Sequence, residues 1–406
     1  MRSQTTQTPG DATTEKTQTV TVRTGPLAGI RVLDLTAVVL GPVATQVLAD
    51  YGAEVIKVEP PEGDLMRANG VSRTPGMSST FMNINRNKSS VCIDLKTDAG
   101  KAALRQLIGN CDVLVHNIRV KAIERLGFGY DAVAEINPGI IYCAATGFGE
   151  GGAFAGQPAF DDIIQGACGL AHLVGHETGV PDYPPTLLAD KIAGLATANA
   201  ILGALVHKAR TGEGQYVEVP MFETLVAFTM TEHMGGHGFQ PHIGDAGYAR
   251  LLKGGRKPSP TRDGYIAVLP YTEQHWKSFF HRFGRGEFID QFNISSRIER
   301  NKNIQAIYAE LRKITAQFTT REMMDVCREM DIPVAEMYSI HTIQTHPHVQ
   351  STGLFQTMAH PTEGDIVTTR PTALFSKTPA SIYKPAPNLG EDTERILKGE
   401  RPHPND

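Results

Sequence analysis

The chain has 406 residues, 41% of them hydrophobic and 20% charged, with a formal net charge of -4. That composition fits a folded protein long enough for two domains and a large core, and the balanced charge, with no Lys/Arg run, argues against a nucleic-acid partner. The five cysteines (Cys92, Cys111, Cys143, Cys168, Cys327) are scattered, with no Cys-x-x-Cys, so neither a disulfide framework nor a zinc site is supported and a reducing cytoplasm is expected.

Residues 1–25 are rich in Thr, Gln and acidic side chains and read as a disordered tail, since a signal peptide needs an apolar run. Order begins near Leu27. Arg31 to Leu35 is a buried strand, Gly41-Pro42 breaks it, and Val43 to Tyr51 is a helix closed by Gly52. Glu54 to Glu59 is a second strand, which completes a βαβ unit of a parallel sheet. The pattern continues with an extended Ser90–Leu95, a helix over Asp98–Ile108, and strands at Cys111–His116 and Ile140–Ala144. The reading is a doubly wound α/β domain over residues 26–225. A helical run covers Ile163 to Val174, and another runs from Asp190 to about Arg210. The apolar stretch Ile192–Val206 within it is too short to span a bilayer, so no membrane association is expected. Residues 226–340 change character. A turn at Arg262-Asp263-Gly264, a strand over Tyr265–Leu269 and helices at Glu273–Phe283, Ile304–Gln317 and Thr320–Met330 read as a smaller α+β domain. Past residue 365 the chain is Pro-rich and ends in a short helix at Gly390–Leu397.

The first strand-to-helix turn, Thr36 to Pro42, holds one glycine. A nicotinamide fingerprint is therefore absent, and NAD is not expected. Arg67, Arg86, Lys88, Lys96 and Arg125 lie near strand ends and are candidates for phosphate contacts; the alternative is that each is a solvated loop charge. His233 and His237 are four apart, but Gly235-Gly236 between them disfavours a helical metal pair, and no metal is expected. No Gly-x-Ser-x-Gly marks a serine hydrolase. Asp161-Asp162 and Asp190 each open a helical run, where Asp is a preferred cap. At the positive end of a helix dipole the Asp190 carboxylate is expected to stay ionised and to serve as a nucleophile.

Several ordered blocks carry a family resemblance. They are Leu27-Ala28-Gly29-Ile30-Arg31-Val32-Leu33-Asp34-Leu35, Leu48 to Pro61 (LADYGAEVIKVEPP), Asn85-Arg86-Asn87-Lys88-Ser89, Ile93-Asp94-Leu95-Lys96, Glu124-Arg125-Leu126-Gly127, Ala159-Phe160-Asp161, Leu188-Ala189-Asp190 and Arg210 to Gln215 (RTGEGQ). From Leu27 on, the chain resembles the class III CoA-transferases, a family that includes formyl-CoA:oxalate and carnitine CoA-transferases and 2-methylacyl-CoA racemases. The resemblance implies a Rossmann-like large domain built from both chain ends, so that residues 341–406 return to it, with the small domain inserted. It implies an interlocked homodimer, coenzyme A or acyl-CoA as co-substrate, and no other cofactor.

Carried over residue by residue, Asp190 falls on the family's catalytic aspartate. Lys96 and Arg125 fall on residues that meet the CoA nucleotide, and Ile93 falls beside the adenine. Arg86 and Lys88 are further candidates for CoA contacts. Asp161 falls on an acidic residue that in the racemases follows a catalytic His. Phe160 stands in place of that His and cannot exchange a proton, which argues against racemisation. Val39 replaces a glutamine near the reaction centre of the formyl enzyme, and Gly254-Gly255 is the nearest match to its tetraglycine loop. These departures disfavour formate and oxalate. Arg250, Arg256 and Arg262 are candidates for pairing with a distal carboxylate, so succinyl-CoA is the expected donor and a small carboxylic acid the acceptor. The rival readings are an acyl-CoA racemase and a non-catalytic CoA-binding protein.

Overall fold

The computed structural model describes residues 23–253 and 255–400. The expected disordered tail lies outside the described residues except for its last three, where the Thr24 hydroxyl donates to the Pro379 carbonyl at 2.8 Å.

Six strands form one parallel sheet: β1 (Arg31–Leu35), β2 (Glu54–Glu59), β3 (Lys88–Cys92), β4 (Val113–His116), β5 (Ile141–Thr146) and β6 (Gln215–Pro220). Their spatial order is β3-β2-β1-β4-β5-β6. The strands β2, β4 and β5 are buried along their whole length. Strands covered on both faces read as continuous aliphatic runs, which is why the sequence reveals them. The strand β6 is only half-buried at the sheet edge and alternates in polarity. Sequence reading names no strand here and sets a domain boundary just past it.

The helices around this sheet are α1 (Leu40–Asp50), α2 (Ser79–Asn85), α3 (Asp98–Ile108), α4 (Val120–Arg125), α5 (Tyr130–Ile136), α6 (Asp161–Ala167), α7 (Leu170–Val174), α8 (Leu188–Thr211) and α9 (Met221–His233). Gly41-Pro42 does not break the chain here; it sits in the first turn of α1, where a missing N–H costs no hydrogen bond. The run expected over 163–174 is split into α6 and α7 by Gly169, which takes φ 88°.

The helix α8 has 24 residues and, by length and composition, is long and apolar enough to cross a bilayer, contrary to the shorter stretch read from sequence. It packs instead on α1 and the sheet, burying Ala193, Gly194, Thr197, Ile201 and Leu205. Gly194 sets how close the two helices come. A Cβ there would stand 2.6 Å from the Leu40 carbonyl oxygen.

A second core forms around Trp276, Phe279, Phe280, Ile307 and Leu311. It belongs to a small antiparallel sheet of β7 (Ser259–Pro260), β8 (Tyr265–Val268) and β9 (Val334–Glu336) with helices at Glu273–Arg282, Ile304–Thr315 and Thr320–Glu329. A hairpin follows, β10 (Phe355–His360) with β11 (Gly364–Thr369). The chain then runs along the outer edge of β3. The Asp392 carboxylate accepts the Ser90 N–H and the Thr393 hydroxyl accepts the Cys92 N–H, both at 3.0 Å. Ile396 joins the core beneath the sheet.

Candidate active site

Strand order reverses between β1 and β4, and ligands of open parallel sheets bind outside the carboxyl ends of the strands at such a point. Two depressions open there. One is an apolar groove of about 490 Å³ lined by Leu35, Val58, Ile93, Leu95, Lys96 and Leu126. The other is a cleft of about 310 Å³ lined by Val38, Arg119, Gly147, Phe148, Phe160 and Asp190. Ala37, Leu65 and Ile118 line both and form their common boundary.

The loop from β1 into α1 makes that boundary. Asn117 clamps it, donating to the Ala37 carbonyl at 2.7 Å and accepting the Ala37 N–H at 3.0 Å. The Asp64 carboxylate accepts the Val38 N–H at 3.1 Å with one oxygen and pairs with Lys57 at 2.8 Å through the other. Val38 takes φ 69°, a left-handed conformation that a β-branched residue resists, so these bonds hold it against strain. The twist turns Val39 away from the cleft that Val38 and Leu40 line. Val39 is buried against Met66, Met77 and Phe81, which corrects the expectation that it meets substrate.

Asp190 is the third residue of α8, not its cap; the N-cap is Leu187, whose side chain makes no capping bond. The cap comes from outside the helix. The Asp161 carboxylate, in the first turn of α6, accepts the Asp190 backbone N–H at 3.0 Å. Gln165, one turn along α6 and fully buried, donates to the other Asp161 oxygen. The Asp190 side chain accepts no hydrogen bond among the described residues and is only 8% exposed at the wall of the cleft. Burial, followed by the nearby charges of Asp161 and Asp162, pushes its pKa up to about 7. Desolvation and two like charges thus oppose the helix dipole, which favours the ionised form. The group is a carboxylate poised near neutrality, unbonded at its oxygens among the described residues and set on a cleft of mixed polarity. That suits attack on an electrophilic carbonyl once the proton is gone.

The cations sort into two sets. Arg86, Lys88 and Arg67 are buried under the strand ends and matched one to one. Arg86 pairs with Asp50 at 2.6 Å, Lys88 with Asp34 at 3.1 Å, and Arg67 with Glu59 at 2.7 Å. They are not available to a phosphate, which corrects their assignment to CoA; a buried cation needs a buried anion, and each already has one. Burial lowers the Lys88 pKa to about 8 against the pull of Asp34. Lys96 is exposed on the groove wall with buried Ile93, and Arg125 is exposed next to Leu126.

Several residues at the site were not singled out from sequence. Arg119 is exposed on the cleft and forms no ion pair among the described residues. The glycine-rich loop after β5 is anchored by Glu223 and Glu218, which accept the Gly149 and Glu150 N–H groups at 3.1 and 2.7 Å. A Cβ at Gly147 would lie 2.3 Å from the Ala159 Cβ, so this loop and the one carrying Phe160 can touch only through glycine. The spacing Gly147-x-Gly149-x-Gly151-Gly152 directly after a buried strand was the available signal.

Gly254 lies outside the described residues. Gly255 lines neither depression of its own chain; its carbonyl accepts from Arg312 at 2.7 Å. Arg262 pairs with Glu322 at 3.1 Å on the surface.

The model of CoA-transferase family III matches residues 27–393. The chain is 31% identical to a succinate–glutarate CoA-transferase of Agrobacterium fabrum, over 92% of this chain and 96% of the relative. It is 31% identical to a human succinyl-CoA:glutarate CoA-transferase, over 92% and 85%. Among solved structures it resembles a CAIB/BAIF family protein from Brucella suis, with a TM-score of 0.79 and 26% identity, covering 93% of this chain and 99% of the other.

Proposed function

The chain belongs to CoA-transferase family III, and from that premise we propose that it moves CoA from succinyl-CoA to a small carboxylic acid through covalent intermediates on Asp190. The observation that carries the assignment of the nucleophile is the Asp190 carboxylate itself. It is nearly buried, free of hydrogen-bond partners among the described residues, and set in the wall of a cleft that shares a boundary with an apolar groove.

Attack of an Asp190 oxygen on the thioester carbonyl forms an acyl–aspartyl anhydride and releases CoA thiolate. The thiolate attacks the aspartyl carbonyl, giving an aspartyl-CoA thioester and freeing the donor acid. The acceptor carboxylate attacks that thioester, and the thiolate returns to the acceptor's acyl carbon, restoring Asp190. A carboxylate suits this route because an anhydride keeps the transfer potential of a thioester, which an ester would lose. Low exposure at Asp190 limits hydrolysis of the anhydride. CoA would lie along the groove, its adenine against Ile93 and its phosphates near Lys96 and Arg125. The groove's size and apolar lining support this.

The relatives' named activities support succinyl-CoA as donor. Phe160, exposed on the cleft, supplies no exchangeable proton, which favours transfer over racemisation. We read the large domain as Rossmann-like and completed by residues 341–406, and the protein as an interlocked homodimer whose partner supplies the small-domain side of the site. The exposed Leu195 and Val206 on α8 support a covered face. Five free cysteines suit a cytoplasmic setting. The test is Asp190→Ala with succinyl-CoA and a panel of acids. Loss of transfer with an unchanged fold is expected, and near-normal exchange would overturn the assignment. Deuterium entering the α-position of an acyl-CoA without CoA transfer would turn the reading to a racemase.

A further inference from the structure

A second polar pocket lies in the small domain and shares no lining residue with the groove or the cleft. Its volume is about 220 Å³, and Arg250, Tyr271, Trp276, Arg297, Arg300 and Ile304 line it. Arg297 and Arg300 are three apart on one short helix, so their side chains leave the same face. Arg250 approaches across the pocket with its guanidinium 4.9 Å from the Tyr271 ring centre. Arg256 lies beside the buried Tyr308 hydroxyl, one turn along the helix from Ile304.

The arginines are not balanced from within. Glu273, whose carboxylate also feels Arg300, pairs with Lys277 at 2.6 Å, and Glu299 pairs with Lys302 at 2.7 Å. Arg300 donates only to the Ile294 carbonyl, at 2.6 Å, and among the described residues none of the three arginines forms an ion pair. Three guanidiniums around one concavity repel each other unless an anion sits between them. Their forked donors match carboxylate and phosphate oxygens. The apolar walls, Ile304 and the Trp276 ring, lower the local dielectric and strengthen that attraction.

We propose that this pocket is a binding site for a small dianion, either a dicarboxylate or a phosphate, separate from the reaction centre of the same chain. The volume admits a compact ligand and excludes an intact CoA. The site does not depend on the transfer reaction assigned to Asp190.

Trp276 is the only tryptophan in the chain, so intrinsic fluorescence reports on this pocket directly. Full-length protein is titrated with succinate and, separately, with inorganic phosphate, at constant ionic strength set by chloride, and each titration is repeated by calorimetry. A saturable signal with either anion is expected, along with at least about tenfold weaker binding in Arg297→Gln/Arg300→Gln, since each lost bond is to a charged partner. Saturation by succinate alone identifies a dicarboxylate site, and saturation by phosphate alone a phosphate site. The double variant should retain the wild-type circular dichroism spectrum, and Asp190→Ala should bind as wild type does. Absence of binding by both methods, or equal affinity in wild type and the double variant, overturns the proposal. Loss of binding in Asp190→Ala would place the anion at the reaction centre and overturn it as well.

Discussion

The Asp190 backbone N–H donates to the Asp161 carboxylate at 3.0 Å, so one acid fixes the main chain of the other while its charge opposes that neighbour's ionisation. Position and reactivity at the head of α8 are thus set by the same side chain.

Asp161→Asn separates these effects. The amide carbonyl can still accept the Asp190 N–H, but the negative charge is gone. The acid limb of the kcat/KM profile for CoA transfer, expected near pH 7 in the wild type, should move to lower pH. Loss of the Gln165 contact should cost about 1 kcal/mol. An unmoved limb would mean that the Asp161 charge is not felt at Asp190.

Asp190 should also weaken the fold at neutral pH. Its folded pKa, about 7, stands above the ordinary 3.8, so the folded state binds the proton more tightly than the unfolded chain does. The stability this contributes is fully present below about pH 4 and is lost as pH rises through about 7. Asp190→Asn removes the penalty. Denaturant unfolding should find the variant more stable than wild type at pH 8, by a few kcal/mol, and equal to it at pH 4. An equal or lower stability at pH 8 would contradict the burial argument.

Gly194→Ala tests how closely α8 must approach α1. The added methyl meets the Leu40 carbonyl oxygen at 2.6 Å, and backbone cannot swing aside as a side chain can. A loss of about 1–3 kcal/mol is expected from overpacking. Displacement of Asp190 by about 1 Å should lower kcat on the order of a hundredfold. Wild-type kinetics in this variant would show that the crossing does not set the reaction geometry.

The two classes of cation should separate by assay. Lys88→Ala leaves Asp34 buried and unpaired, and should destabilise by about 3–5 kcal/mol whatever the substrate. Lys96→Ala removes an exposed charge from the groove and should raise KM for acyl-CoA several-fold while leaving kcat and Tm unchanged. A drop in Tm for Lys96→Ala, or none for Lys88→Ala, would reverse the assignment made from burial.

How much of this was legible in the sequence depended on burial. The strands β1 and β2 were found at their true limits because aliphatic runs buried on both sides are hard to mistake. The edge strand β6, half-buried, gave no such run and was missed. Asp190 stands out in the sequence through ordered blocks of resemblance, but the acids that oppose its ionisation do not, since position in a helix says nothing about the charges another helix brings near. Arg86 and Lys88 looked like loop cations because their partners, Asp50 and Asp34, lie 36 and 54 residues away. Val39 faced the wrong way because the left-handed turn at Val38 has no glycine to announce it.

The Asp392 and Thr393 contacts to β3 bear on how the protein is made. They join residues about 300 positions apart, at the outer edge of β3, the strand that pairs with β2. During synthesis the outer edge of β3 is exposed until nearly all the rest of the chain has emerged, and unpaired strand edges recruit other strands. An N-terminal fragment ending with the six-stranded sheet should therefore associate through this edge, and folding should be slow for the size of the sheet, since closure awaits so distant a segment.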